Sequence, residues 1–203
     1  MLFTHYRRML LNRSCGFTVL ELLLTLAVSV TMTAIALPLT AASLDDLRTG
    51  MAARYLAARI GDARLHAVSR SARVALRFDP SDGDYGFAEY RDGNANGVRT
   101  ADITAGIDAE VSPRRFLRDS FSGVLFGLRA GVPDVDGVPV ANVTDGVRLG
   151  TARILTLGPD GTATSGTLYL HGRGSQYAVR ILGATGRTRV LRFDPGVQQW
   201  ISR

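Results

Sequence analysis

A chain of 203 residues, 46% hydrophobic and 21% charged, is large enough to bury one substantial core plus an appendage, and too apolar for wholesale disorder. All 24 basic residues are arginine, set against 18 acids for a formal net charge of +6; that uniformity reads as codon bias and makes no case for nucleic-acid binding. A single cysteine, Cys15, excludes an internal disulfide framework, and His5, His66 and His171 are too scattered to suggest a zinc site.

Residues 1–16 carry Arg7, Arg8 and Arg13 and no acid, which is half of the chain's positive excess. Between Glu21 and Asp45 lie 23 residues without a charged side chain, enough for a helix to cross a hydrocarbon core of about 30 Å. Apolar side chains occupy every face of that helix, so its expected surroundings are lipid or other apolar helices. The basic flank predicts a cytoplasmic N-terminus and an exported C-terminal domain. Glu21 interrupts the pattern, because a carboxylate inside the run costs about 2 to 3 kcal/mol on insertion, less near an end. No cation follows Arg13 nearby, and a new amino terminus just upstream would supply one. Two other readings stay open. A secretory signal would use Ala34 and Ala36, or Thr40 and Ala42, as its small-residue cleavage positions, although its apolar core is ordinarily shorter. An uncleaved anchor leaves Glu21 without a partner.

The run GFTVLELLLTLAV, residues 16–28, resembles the class III signal of type IV prepilins and pseudopilins. In those proteins a membrane peptidase cuts after the glycine and N-methylates the new first residue. The resemblance implies cleavage between Gly16 and Phe17, which removes Cys15 and makes Glu21 the fifth residue of the mature chain. Glu21 would then pair with the Phe17 ammonium of a neighbouring subunit inside a filament core, where opposite charges attract strongly and either one alone is penalised. Pro38 sits where the family carries a helix-disrupting proline. The implied organisation is a leader over 1–16, a transmembrane and assembly helix over 17–43, and a periplasmic pilin-like domain over 44–203.

Past Asp45, apolar side chains recur at helical spacing on two adjoining tracks, Leu47, Met51, Tyr55 and Ala58, and Leu56, Ile60, Ala63 and Ala67. This predicts that the membrane helix continues and lays a stripe on a sheet, with Arg48, Arg54, Arg59 and Asp62 facing out. Beyond residue 71 the period becomes two. Strands are expected over 73–78, 85–91, 123–129, 153–157, 167–171, 177–182 and 188–193. Asp79-Pro80, Asp82-Gly83, Gly158-Pro159-Asp160-Gly161 and Asp194-Pro195-Gly196 supply turns between them. The expected fold class is α+β, a long N-terminal hydrophobic helix followed by antiparallel β-sheets packed on its C-terminal half. Residues 99–118 and 131–146 carry no clear pattern.

The segments RDGNANGVRTADI, ILTLGPDGTATSGTLYLHG and YAVRILGATGRTRV, in that order, resemble the GspH/FimT family of minor pseudopilins and minor pilins. Members sit at or near the tip of a type II secretion pseudopilus or of a type IV pilus, and some belong to pili that capture DNA during natural transformation. The resemblance implies a filament subunit in the inner membrane, with no enzymatic activity and no cofactor. Its partners would be the prepilin peptidase/methyltransferase, other minor and major pilins, and in the transformation case DNA.

Gly186-Arg187-Thr188-Arg189 matches the GRxR pattern with which DNA-binding members hold phosphate. In a strand Arg187 and Arg189 project to one side, and Gly186 permits close backbone approach. Residues 147–203 hold eight arginines against Asp160 and Asp194 alone, whereas 17–146 hold 13 arginines against 16 acids. A basic face of that kind steers polyanions; a solvated strand face, or contact with acidic subunits, explains the same residues. Asp92, Asn94, Asn96 and Gly97 match the opening of a calcium loop, but Ile103 stands where the bidentate acid belongs, with Asp102 one position early. A glycine- and asparagine-rich hairpin turn accounts for that segment without metal. Trp200, Tyr177 and Phe193 are expected in a core or a C-terminal clasp more than in a base-stacking platform. His66 and His171 lack carboxylate or thiol companions at meaningful spacing, and Gly172-Arg173-Gly174 precedes no phosphate-loop lysine.

Overall fold

The computed structural model describes residues 16–140 and 142–202. The basic flank Arg7, Arg8 and Arg13, with His5 and Cys15, lies outside them.

Thr18 starts the first helix. Its hydroxyl accepts the Glu21 backbone N–H at 3.2 Å and its carbonyl accepts that of Leu22 at 3.0 Å. Thr18-x-x-Glu21 thus has the spacing of a capping box, with the threonine half formed. Helix α1 runs without interruption over Val19–Ser69, straight through Pro38. Proline forfeits one helical N–H there, yet the segment stays helical on both sides of it. Along the apolar half, the hydroxyls of Thr25, Ser29, Thr31, Thr33 and Thr40 each donate to a carbonyl three or four residues earlier. That back-bonding satisfies the hydrogens of these five hydroxyls within the helix, the condition a bilayer interior imposes. By length and composition α1 can cross a membrane, and its most apolar window is entirely exposed.

The chain divides into two compact units at Ala41/Ala42. In the second, Ala42–Arg203, the rest of α1 buries Thr49, Gly50, Ala52, Ala53, Leu56, Ile60, Ala63 and Ala67. The track through Leu56, Ile60, Ala63 and Ala67 is as expected. The track through Leu47, Met51 and Ala58 is corrected, since all three are exposed. The small residues at 49–53 bring the backbone close to the sheet instead; a Cβ on Gly50 would lie 3.0 Å from the Tyr177 hydroxyl. Arg59, expected outside, is only 20% exposed at its side chain because it turns toward a buried acid.

Strands β1 (Val74–Ser81), β2 (Asp84–Arg91), β3 (Ala109–Phe116) and β6 (Ile154–Leu157) form an antiparallel sheet ordered β3-β2-β1-β6. The other antiparallel sheet comprises β4 (Leu125–Phe126), β5 (Val147–Arg148), β7 (Gly166–His171), β8 (Gln176–Leu182), β9 (Arg187–Asp194) and β10 (Gln199–Ser202). Its order is β10-β9-β8-β7-β4, with β5 also paired to β7. Short helices α2 (Thr100–Thr104) and α3 (Leu117–Ser120) flank β3. Asp79-Pro80 is not a turn. Both residues belong to β1, and Pro80 is tolerated because β6 pairs with β1 only as far as Arg77, leaving that edge free. The strand expected over 123–129 shrinks to Leu125–Phe126. Strand β3 had no alternation to reveal it: it is a largely exposed edge strand that carries Pro113.

One core joins the buried face of α1 to the inner faces of both sheets. Phe78 of β1 meets Phe126 of β4 edge-on at 5.7 Å, and Tyr85 of β2 meets the same ring at 6.0 Å. A separate cluster covers the outer face of the larger sheet, where Val132, Val135, Val140 and Val143 pack against Tyr169, Ala178, Leu191, Phe193 and Trp200. Residues 131–140, with Val143, therefore form a strap across the sheet.

Candidate functional site

Gly16 and Phe17 precede α1 and are exposed, Phe17 to 76%. Glu21 sits in the first turn, where the helix dipole favours a carboxylate. The sequence signal Thr-x-x-Glu gives this residue a local reason to be acidic beside the one its membrane position invites.

Gly186 closes the turn between β8 and β9 at φ +60°, and its N–H donates to the Leu182 carbonyl at 2.8 Å. Arg187 and Arg189 alternate with Thr188 on β9 and are both exposed, on one side of the strand as expected. A residue that sequence spacing did not reveal underpins this turn. Arg64 of α1 donates from Nε to the Gly161 carbonyl at 3.3 Å, and a Cβ on Gly186 would meet that carbonyl at 2.5 Å and Arg64 Nε at 3.0 Å. Helix, 158–161 turn and GRTR turn are thus stacked on one guanidinium. In the 158–161 turn, the hydroxyl and backbone N–H of Thr162 donate to Asp160 and hold its carboxyl below the usual carboxylate range.

The loop after β2 uses its acids internally. The Asp92 carboxylate accepts N–H groups from Asn94 and Gly97, the Asn94 side chain accepts that of Asn96, and Asp108 accepts those of Gly93 and Arg99. Both Asp92 oxygens serve as loop caps, and Asp108, which the calcium-loop pattern does not use, closes the ring. Among the described residues no group of three or more histidine, cysteine or acidic side chains is arranged to hold a metal ion. The segment opens the connection that passes through α2 and joins the antiparallel neighbours β2 and β3, a longer loop than a tight hairpin turn.

Of the three aromatics, Phe193 and Trp200 meet at 5.4 Å on the outer sheet face, and the Trp200 indole N–H donates to the Pro133 and Asp134 carbonyls. Tyr177 is on the opposite face, in the main core, with its hydroxyl donating to Asp46 at 3.1 Å. Tyr169 takes its place beside Trp200, at 5.8 Å.

His66 does have a carboxylate companion. Its Nδ1 lies 2.7 Å from Glu89, whose side chain is 1% exposed and also receives Arg59 Nη2 at 3.4 Å. Spacing hid the contact, because Glu89 comes from β2, 23 residues on. His171 Nδ1 lies 3.0 Å from the Gly172 carbonyl oxygen. Gly172-Arg173-Gly174 does bind an anion: the N–H groups of Arg173, Gly174 and Ser175 and the Ser175 hydroxyl all donate to the Asp45 carboxylate, at 2.8 to 3.0 Å. This is the backbone nest of a phosphate loop, filled by the chain's own side chain. Burial pushes the Asp45 pKa up, but those donors outweigh it and hold the carboxyl below its ordinary range.

Compared with known proteins, the chain matches no family model, no curated protein and no solved structure.

Proposed function

We propose that the chain is a minor pseudopilin or minor pilin, anchored in the inner membrane by a single helix, with the β-domain in the periplasm. A prepilin peptidase/methyltransferase would release it at Phe17, and it would assemble at or near the tip of a type II secretion pseudopilus or a type IV pilus with other pilins. The observation that carries this reading is the uninterrupted helix Val19–Ser69. Glu21 is the only charge in its first half, and its second half is buried in a β-sheet core. A helix built this way serves two solvents in succession, lipid and then protein, as a subunit passing from membrane to filament requires. The functional work is mechanical, with Glu21 setting the axial register against the amino terminus of the next subunit.

Intact-mass and N-terminal analysis of protein purified from its native host tests this. The expected mature chain begins with N-methylated Phe17. Glu21→Ala should leave membrane insertion intact and abolish incorporation into sheared filaments. An intact leader, a start near Ser43, or normal incorporation of the variant removes the reading.

One observation favours a second reading, a DNA-receptor minor pilin. Arg187 and Arg189 stand exposed on one side of β9, next to a glycine turn that lies close against Arg64. Weak, sequence-tolerant DNA binding that collapses with salt, and that Arg187→Gln or Arg189→Gln diminishes, is its expected signature.

A further inference from the structure

We infer that the outer face of the larger sheet carries a groove in which Arg148 and Arg180, continued beside it by Arg187 and Arg189 on β9, hold the phosphate backbone of a nucleic acid, and that Asp136 occupies this groove in the unbound protein. This rests on the DNA-receptor reading and extends the site well beyond the GRTR turn.

Strand register carries the inference. Arg148 of β5 pairs with Thr167 of β7, Thr167 with Arg180 of β8, and Arg180 with Arg189 of β9. Directly opposed residues of antiparallel strands share a face, so Arg148, Thr167, Arg180 and Arg189 form a row across four strands. Arg187, two residues from Arg189 and opposite Leu182, belongs to the same face. The chain positions of these arginines, from 148 to 189, give no sign of the row. A groove of about 580 Å³ runs beside it, lined by Arg148, Thr167, Tyr169, Arg180 and two acids of the strap, Asp134 and Asp136.

The two acids differ in how firmly they are held. Asp134 is 14% exposed; its carboxylate accepts the Asp136 and Val138 N–H groups and lies 3.6 Å from Arg148, so it is part of the strap's own turn. Asp136 is 66% exposed and holds Arg180 through one contact at 2.8 Å. An exposed pair of that kind contributes little to stability and is readily exchanged. A phosphodiester chain presents acceptors to several guanidiniums at once and releases its own counterions on binding, so it displaces a single carboxylate. Asp136 thus acts as a removable stand-in for phosphate.

The full chain in zwitterionic detergent, titrated with a fluorescent duplex DNA over a salt series, tests this. Arg180→Gln and Arg148→Gln are each expected to weaken binding and flatten the slope of log K against log salt by about 0.9, one phosphate contact each. Asp136→Asn is expected to tighten binding and steepen that slope, and to lose this effect in the double variant with Arg180→Gln. If Arg187→Gln weakens binding while the substitutions at 148, 180 and 136 do nothing, the groove is overturned and the DNA reading at the GRTR turn survives. If wild type shows no binding at low salt, the DNA reading itself fails. If polyglutamate of matching charge binds as tightly as DNA, the phosphate chemistry is overturned in favour of an acidic protein partner.

Discussion

Asp45 and residues 173–175 are 128 residues and more apart in the chain, yet three consecutive backbone N–H groups and one hydroxyl converge on this single carboxylate. A Cβ on Gly172 would come within 2.4 Å of the Asp45 side chain, so glycine is required there by the closeness of the approach. Because hydrogen bonding holds the folded-state pKa below the unfolded value near 3.8, the carboxylate's contribution is complete above that value and is lost as pH falls through the lowered one. Replacement by Asn keeps the shape and loses the charge, leaving N–H donors poorly matched, at an expected cost of about 1 to 3 kcal/mol near neutral pH. Urea unfolding of Asp45→Asn should show that loss at pH 7 and a smaller difference from wild type at pH 3; equal differences at both would sink the assignment. The glycine-arginine-glycine run was visible in the sequence, but its ligand was not.

Helix α1 carries no charge but Glu21 in its first half and is one-sided in its second, where the buried face differs from the expected one. Hydropathy put Leu47 and Met51 on the buried face, whereas the core took Thr49, Gly50, Ala52 and Ala53. Close approach to β8 at Tyr177 selects small side chains, and a pattern search weighted toward large apolar residues looks past them. Leu56→Ala and Ile60→Ala should each cost about 2 to 5 kcal/mol of stability, as core truncations do. Met51→Ala, at a residue that is 42% exposed and outside the core, should cost far less, about 0.5 kcal/mol. Chemical denaturation of the three variants side by side checks the assignment of faces; a Met51→Ala loss as large as that of Leu56→Ala would contradict it.

Within the unit Ala42–Arg203, the helix is tied to one sheet through Asp45 and Asp46 and to the other through Arg59, His66 and Glu89. Asp46 receives Arg192 at 2.9 Å as well as Tyr177, so both acids that end the apolar run have partners on the larger sheet. Glu89, almost wholly buried, serves the same purpose on the smaller one. Glu89→Ala would leave His66 without its carboxylate and the partly buried Arg59 with Asp62 alone, 3.6 Å from its guanidinium, an expected loss of about 1 to 3 kcal/mol. Thermal unfolding followed by circular dichroism measures it, and a loss below about 1 kcal/mol would show that the triad is ornamental to the fold. Local physics was enough to read from the sequence the long apolar helix, its continuation past Asp45, the places of most turns, six of the strands and the exposure of Arg187 and Arg189, because helix period, strand alternation and glycine turns act over a few residues. Tertiary structure alone decided that Glu89 meets His66, that Asp45 fills the nest at 173–175, that Arg64 underlies Gly186, and that Arg148, Arg180 and Arg189 stand in one row. Each of those depends on which strands lie side by side and on how closely the helix approaches them, quantities set by the packing of the whole core and written in no short stretch of chain.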